Sequence, residues 1–330
     1  MNNIESDLKT EKSKLGVKDI LLKILRNGGV YLALLILIII SGILEPRSLE
    51  VGHVLDILKN TSVLGIVVIA QTLLIITRGI DLSVGAHLIL ITLVIDGISM
   101  GVPQRTVFVI ILSLVIGALI GLINGLLVVK LKIEPLVSSL GVMTLITGIS
   151  FIYTKGFAKG KAPPFVNMLG GKELFGFLPV SVIIWAILAI IAIFVLKRTV
   201  FGRFVYAIGA NPRAASIAGI KVDKVAILIY IISGLLVAIA GIVWAGYIGV
   251  PSLTGGETYP LDSIAAVIIG GTTFAGGKGG IGGSIVGAII IVFLSSFLNI
   301  VGLGYAWKII AQGLIILLLV FSYTGRKRLN

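Results

Sequence analysis

Long apolar runs without a charge are the feature that most narrows what this chain can become. LALLILIIISGIL fills residues 32–44 and VSVIIWAILAIIAIFVL fills 180–196. A helix that crosses a bilayer needs about 20 mostly apolar residues, and in lipid only helices or closed barrels satisfy every backbone polar group. A barrel strand alternates polarity at every second residue, and these runs do not. Of the 330 residues, 57% are hydrophobic and 12% are charged, against about 25% charged in a soluble domain. The predicted fold class is an all-α polytopic integral membrane protein.

Apolar spans fall near 28–44, 61–77, 82–98, 106–129, 136–154, 178–196, 225–248, 258–275, 284–301 and 305–322, which makes about ten transmembrane helices. The eighth is glycine-rich and is expected to be short or broken. The chain then divides into a polar N-terminal segment 1–27, one membrane domain over 28–322 containing the polar interval 199–224, and a basic tail 323–330. The first apolar run lacks a small-residue cleavage site after it and reads as a retained anchor.

Charge sets the orientation. Lys9, Lys12, Lys14, Lys18, Lys23 and Arg26 precede the first span; Lys197, Arg198, Arg203, Arg213, Lys221 and Lys224 flank or occupy 199–224; Arg326, Lys327 and Arg328 close the chain. Lys and Arg collect on cytoplasmic loops, and the span count between these clusters puts all three on one side. Both termini are expected in the cytoplasm, and the formal net charge of +13 calls for no nucleic acid. The external loop 155–177 departs from the bias with Lys155, Lys159, Lys161 and Lys172. It reads either as an unremarkable loop or as a basic landing surface for an acidic external partner.

With no cysteine and only His53 and His87, thiol chemistry is excluded and no metal site is expected. FAGGKGGIGG (274–283) contains G-x-G-x-x-G at Gly277, Gly279 and Gly282. A dinucleotide fingerprint also needs a strand before it and an acid about 20 residues on, but no acid follows residue 279. A phosphate loop would need a glycine where Thr272 stands and a hydroxyl where Gly279 stands. The stretch reads as a tight cytoplasmic turn. Gly117, Gly121 and Gly125, and likewise Gly283 and Gly287, repeat at four-residue spacing and mark close helix packing.

Asn211 followed by Pro212 is a helix start: an N-cap acceptor, then a ring already at helical φ. RAASIA continues it and Gly219 stops it, giving a short helix of about two turns outside the lipid. Such a smooth rod carrying Arg213 suits insertion into a partner's groove; an ordinary connecting loop fits the spacing equally well. In TRGIDLSVGAHL (77–88), Arg78 and Asp81 are spaced to pair, and Asp81 to cap the next helix. Ionisable groups near a span otherwise face a polar pathway. Asp81 and Ser83, with Gln71, Asn124, Ser138, Ser139, Thr144 and Asn299, are the candidate lining of a translocation path; bonding between helices is the commoner role. His87 and Asp96 read as packing or boundary residues.

GIDLSVG (79–85), GLINGLLVVKLKIEPLVSSLGVMTLITG (121–148), FGRFVYAIGANPRAASIAGI (201–220) and IAAVIIGGTTFAGGKGGIGGSIVGA (264–288) together resemble the membrane-spanning permeases of ribose-type sugar importers of the ATP-binding-cassette class. The likeness runs from about residue 55 to 322. It implies a ten-span subunit in the cell membrane, paired with a second permease subunit, two ATPase domains and an extracytoplasmic sugar-binding protein. It implies no catalytic residue and no cofactor in this chain, ATP and Mg belonging to partner subunits. By the same likeness Gly202, Arg203, Gly209, Asn211, Pro212, Arg213, Ala214, Ala215 and Gly219 form the segment that couples to the ATPase. The rival readings are a branched-chain amino acid permease of the same superfamily, an independent secondary transporter and a membrane-embedded enzyme.

Overall fold

The computed structural model describes the backbone of residues 17–304 and of 306, 307, 309, 310, 313 and 314, with side chains from Gly29 onward. Lys9, Lys12 and Lys14 of the N-terminal segment, most of the expected span 305–322 and the basic tail lie outside the residues so described, while Lys18, Lys23 and Arg26 are described by backbone alone.

The helices in chain order are α1 (Val17–Leu44), α2 (Val51–Ile76), α3 (Val84–Ser99), α4 (Thr106–Val129), α5 (Pro135–Thr154), α6 (Pro164–Gly171), α7 (Val180–Arg198), α8 (Val200–Ala210), α9 (Pro212–Ile217), α10 (Val222–Ile248), α11 (Tyr259–Ile269) and α12 (Ile281–Ile300). A hairpin of two two-residue strands, β1 (Glu173–Leu174) and β2 (Leu178–Pro179), pairs antiparallel between α6 and α7. Among the described residues, α2, α4, α5, α7, α10 and α12 are long and apolar enough to cross a membrane.

Packing follows from bilayer solvation. On α4, Val107, Phe108, Ile111, Val115 and Leu119 are exposed, and on α7 so are Ile187, Ile190, Ile191 and Phe194. Large apolar side chains turned outward over whole helices fit lipid rather than water. The interior is built on α2, buried continuously from Thr61 to Ile76, and on α10, which packs on α2, α3, α4 and α6. Lipid offers no hydrophobic drive between helices, so backbones must approach closely. A Cβ on Gly117 would stand 2.6 Å from the Gly234 carbonyl oxygen of α10, and one on Gly121 would collide with the Tyr230 carbonyl. The four-residue spacing on α4 is thus a seam to α10. Gly283 and Gly287 pack likewise on Gly270 and Ala266.

Three expected spans differ. The first, read as 28–44, is helical in its backbone from Val17. The second begins ten residues earlier than read from the apolar run: His53, Asp56, Lys59 and Asn60 interrupt that run, yet all lie on α2. The eighth, read as 258–275, is helical only over the 11 residues of α11, and 270–280 form turns. A helix of this length rises about 16 Å, half of a hydrocarbon core.

Candidate functional site

Between α7 and α10 the chain forms two short helices. Thr199 caps α8: its Oγ1 accepts from the Gly202 N–H at 3.2 Å. Asn211 caps α9, its Oδ1 accepting from the N–H groups of Arg213 at 3.0 Å and Ala214 at 3.1 Å. Helix α9 ends before Gly219, whose φ of +85° is left-handed, so the Asn–Pro start and glycine stop operate as their chemistry requires. The sequence reading placed no helix over 200–210. Its buried residues, Gly202, Val205, Ile208 and Gly209, recur at helical spacing, a signal that was present.

The coupling candidates divide by exposure. Arg203, Asn211, Arg213, Ala214 and Gly219 are exposed and Pro212 is half-buried. Gly202, Gly209 and Ala215 are buried: Gly202 lies on the Leu196 and Val195 carbonyls, and Gly209 on the Ile76 carbonyl and the Gly277 nitrogen. Ile217, absent from the sequence-derived set, is 84% exposed on α9. An isoleucine turned fully outward from a rod of small residues is the one large apolar contact that rod can offer.

Arg78 does not pair with Asp81. Its Nε donates to the Gly209 carbonyl at 2.7 Å and its Nη2 to the Ala210 carbonyl at 2.7 Å, closing the C-terminus of α8. A cation is favoured at a helix C-terminus by the macrodipole and the unpaired carbonyls, and that partner lies 131 residues away in the chain. The turn 274–280 completes this knot. Gly277 N–H donates to the Ile76 carbonyl at 2.8 Å, and Tyr206 Oη donates to the Gly279 carbonyl at 2.9 Å. Burial pushes the Tyr206 phenol above its ordinary pKa. A cleft of about 520 Å³ beside the knot is lined by Arg78, Ala210, Phe274, Ala275, Gly276, Gly277 and Lys278.

Four of the candidate path residues meet. Asp81 Oδ1 accepts from the Ser83 N–H at 2.7 Å and from Ser83 Oγ at 2.5 Å, a local turn rather than a cap within α3. Asn124 Nδ2 donates to Ser83 Oγ at 3.1 Å, and Ser138 Oγ to Asn124 Oδ1 at 3.5 Å. The chain ties α5, α4 and the start of α3 together, and all four side chains are buried. Gln71 is buried in α2, and Ser139 turns back to the Pro135 carbonyl at 2.8 Å. Thr144 is exposed and bonds the Leu140 carbonyl at 3.0 Å. His87 and Asp96 are fully buried in α3.

Only Asn299 of that set lines the polar cavity. This cavity, of about 330 Å³, lies between α2, α10, α11 and α12 toward the ends where α2 starts and α10 and α12 finish. Its walls include Asp56, Asn60, Trp244, Tyr259, Asp262 and Ser295. Trp244 and Tyr259 meet edge to face with ring centroids 5.9 Å apart. Ser296, also in the wall, lies with its Oγ 2.9 Å from His53 Nε2. These residues come from four helices, so no short motif announces them.

On the loop between α5 and α7, Lys155, Lys159, Lys161 and Lys172 are all exposed, and none makes an ion pair among the described residues. The Glu173 carboxylate is engaged elsewhere, with Lys59 Nζ of α2 at 2.8 Å. Phe157, Phe175 and Phe177 stand exposed on the same loop.

Residues 53–320 match a family model described as branched-chain amino acid transport system / permease component. The chain is similar to the ribose import permease protein of Bacillus subtilis, 38% identical over 95% of this chain and 96% of that one. It is similar to the ribose import permease protein of Haemophilus influenzae, 36% identical over 91% and 94%. It is also similar to the galactose/methyl galactoside import permease protein of Escherichia coli, 33% identical over 90% and 93%. No solved structure matches.

Proposed function

The chain belongs to the family described as branched-chain amino acid transport system / permease component, and on that premise we propose that it passes a monosaccharide or similar polyhydroxylated solute into the cell. It is the membrane-spanning transport subunit of an ATP-binding-cassette importer, a multi-pass membrane protein and not an enzyme. The observation that carries the sugar assignment is that relatives covering nine-tenths or more of both chains are named as ribose and galactose import permeases. ATP hydrolysis belongs to separate ATPase subunits, and solute delivery to a substrate-binding partner.

In this reading the bundle makes ten crossings with both termini in the cytoplasm, the tenth lying over 305–322. The domain over 28–322 pairs with a second permease subunit and two ATPase domains, and this chain holds no cofactor. The segment from Gly202 to Gly219 is the coupling element. Its support is geometric: α9 stands exposed at the face carrying Lys197, Arg198, Lys221 and Lys224, the basic side expected to be cytoplasmic. When the ATPases close, α9 moves as a handle and the bundle exchanges access from one side to the other. Affinity for solute resides mainly in the external partner, because a path that binds tightly releases slowly.

The test is uptake in cells lacking their own pentose and hexose importers. Co-expression with the products of the adjacent genes, challenged with labelled ribose, fructose, galactose and leucine, should give ATP-dependent uptake of at least one sugar. Uptake of leucine alone would move the chain to the amino acid branch.

A further inference from the structure

The glycine-rich turn between α11 and α12 lies outside the segment 202–219, yet it meets the foot of that segment. A Cβ on Gly277 would stand 2.7 Å from the Ala210 nitrogen. The turn therefore lies on the last residue of α8, next to the Asn211 that caps α9. Its own bonds hold it there. Gly276 N–H donates to the Thr273 carbonyl at 3.0 Å, Thr273 N–H to the Lys278 carbonyl at 3.3 Å and Gly277 N–H to the Ile76 carbonyl at 2.8 Å. Gly276 and Gly277 have φ of +77° and +69°, a left-handed pair that glycine adopts without strain. Phe274 and Lys278 are thus carried on a fixed platform, and both are exposed.

With Arg78 and Ala210 these two side chains wall the cleft of about 520 Å³. Its positive charge is uncompensated among the described residues. Arg78 directs its fork to the Gly209 and Ala210 carbonyls. Lys278 makes no ion pair, and no carboxylate is in the described lining. On the same face Arg203, Arg213, Lys221 and Lys224 are exposed too, and Asp223 is taken by Lys130 at 2.8 Å. A free cation beside an exposed ring is complementary to a carboxylate set among apolar groups. Lipid headgroups are not placed to supply that carboxylate's charge. The cleft opens beyond the end of α2, which is buried from Thr61 to Ile76 and enclosed by α7, α10, α11 and α12. The lipid ring instead meets the outward sides of α4 and α7.

We propose that this cleft is a second contact for the ATPase subunit, separate from α9: Lys278 pairs with an aspartate or glutamate of that subunit, and Phe274 packs on the apolar side chains around it. The contact fastens the ATPase to the turn between α11 and α12, so one partner holds both α9 and the short helix α11. This goes beyond the coupling element proposed above and rests on the reading that the chain works with ATPase subunits.

The experiment uses the full chain in lipid nanodiscs and the ATPase subunits encoded by the adjacent genes. Binding is read by biolayer interferometry across a salt series. Lys278→Glu should weaken it about tenfold or more at about 0.1 M ionic strength, while Lys278→Arg stays within about twofold of the wild type. Phe274→Ser should weaken binding at low and high salt alike. A water-soluble carbodiimide joins an amine to a carboxylate in contact with it, as an amide with loss of water. Mass spectrometry should find Lys278 of the wild type linked to an acidic residue of the ATPase, and no such link in Lys278→Arg. Wild-type affinity in Lys278→Glu, or a link from Lys278 to an acid of this same chain, overturns the contact and leaves the importer reading standing. Failure of the wild type to bind the ATPase removes both. Lys278 is exposed, so its variants should reach the membrane at the wild-type level; should Lys278→Glu not insert, the carbodiimide link in the wild type decides, and its absence overturns the contact.

Discussion

The Arg78 guanidinium clamps the carbonyl of Gly209, Nε to oxygen at 2.7 Å, and so joins the end of α2 to the last turn of α8, just before α9. Gly276 fits against the same side chain, where a Cβ would stand 2.5 Å from Arg78 Cγ. Three segments distant in sequence meet at one guanidinium. On the coupling role proposed for α9, a push on that helix would reach α2, buried from Thr61 to Ile76, through hydrogen bonds rather than a slack loop.

Arg78→Ala should uncouple the transporter. Hydrogen bonds to a charged group contribute about 1.5–3 kcal/mol each, and the deletion leaves two helix-end carbonyls without their donor. Uptake is expected to fall at least tenfold while ATPase subunits still co-purify and hydrolyse ATP. Arg78→Lys, which lacks the fork that reaches both carbonyls, should restore part of it. Full uptake with Arg78→Ala would mean the clamp does not transmit.

Negative charge on the exposed side of α9 should block ATPase docking. Ala214→Asp with Ile217→Asp alters only exposed positions, so membrane insertion is expected to be normal and co-purification of the ATPase lost. Ala215 is unsuitable for this test because it is buried and a charge there would disturb folding. Retained co-purification would place the ATPase contact elsewhere.

Reversing Lys155, Lys159, Lys161 and Lys172 to Glu should weaken capture of the external binding protein, most visibly at low salt. Exposed charges interact over about 10 Å at 0.1 M ionic strength and over shorter distances at higher salt. Surface plasmon resonance across a salt series reads this directly; an unchanged affinity at low salt would return the four lysines to an ordinary loop.

Gly121→Leu should impair the seam between α4 and α10, since the new side chain would meet the Tyr230 carbonyl. Overpacking costs about 1–3 kcal/mol. Lower yield and a lower unfolding temperature in detergent are expected, whereas Gly148→Leu, on α5 with open space around it, should leave both unchanged.

What the sequence disclosed depended on how local the physics was. The α9 start was legible because Asn211, the N–H groups that its Oδ1 caps and the Pro212 ring are neighbours. The glycine seam was legible because a four-residue repeat lies along one helix face, whatever packs on it. Arg78 was misread for the opposite reason: Asp81 is three residues away, while the carbonyls it serves lie beyond residue 208, and no spacing rule reaches that far. The cavity was missed because Asn60, Trp244, Asp262 and Ser295 sit on four different helices. The buried chain of Asp81, Ser83, Asn124 and Ser138 drew attention as a path, yet its groups satisfy one another, the commoner use of polar residues between helices.

The most direct measurement is solute accumulation in sealed proteoliposomes, comparing the chain alone with the chain plus its ATPase subunits, binding protein and ATP. The account predicts sugar accumulation in the complete system, abolished when ATP or the ATPase is withheld, and none by the chain alone under a proton or sodium gradient. Accumulation by the chain alone, driven by an ion gradient, would contradict it.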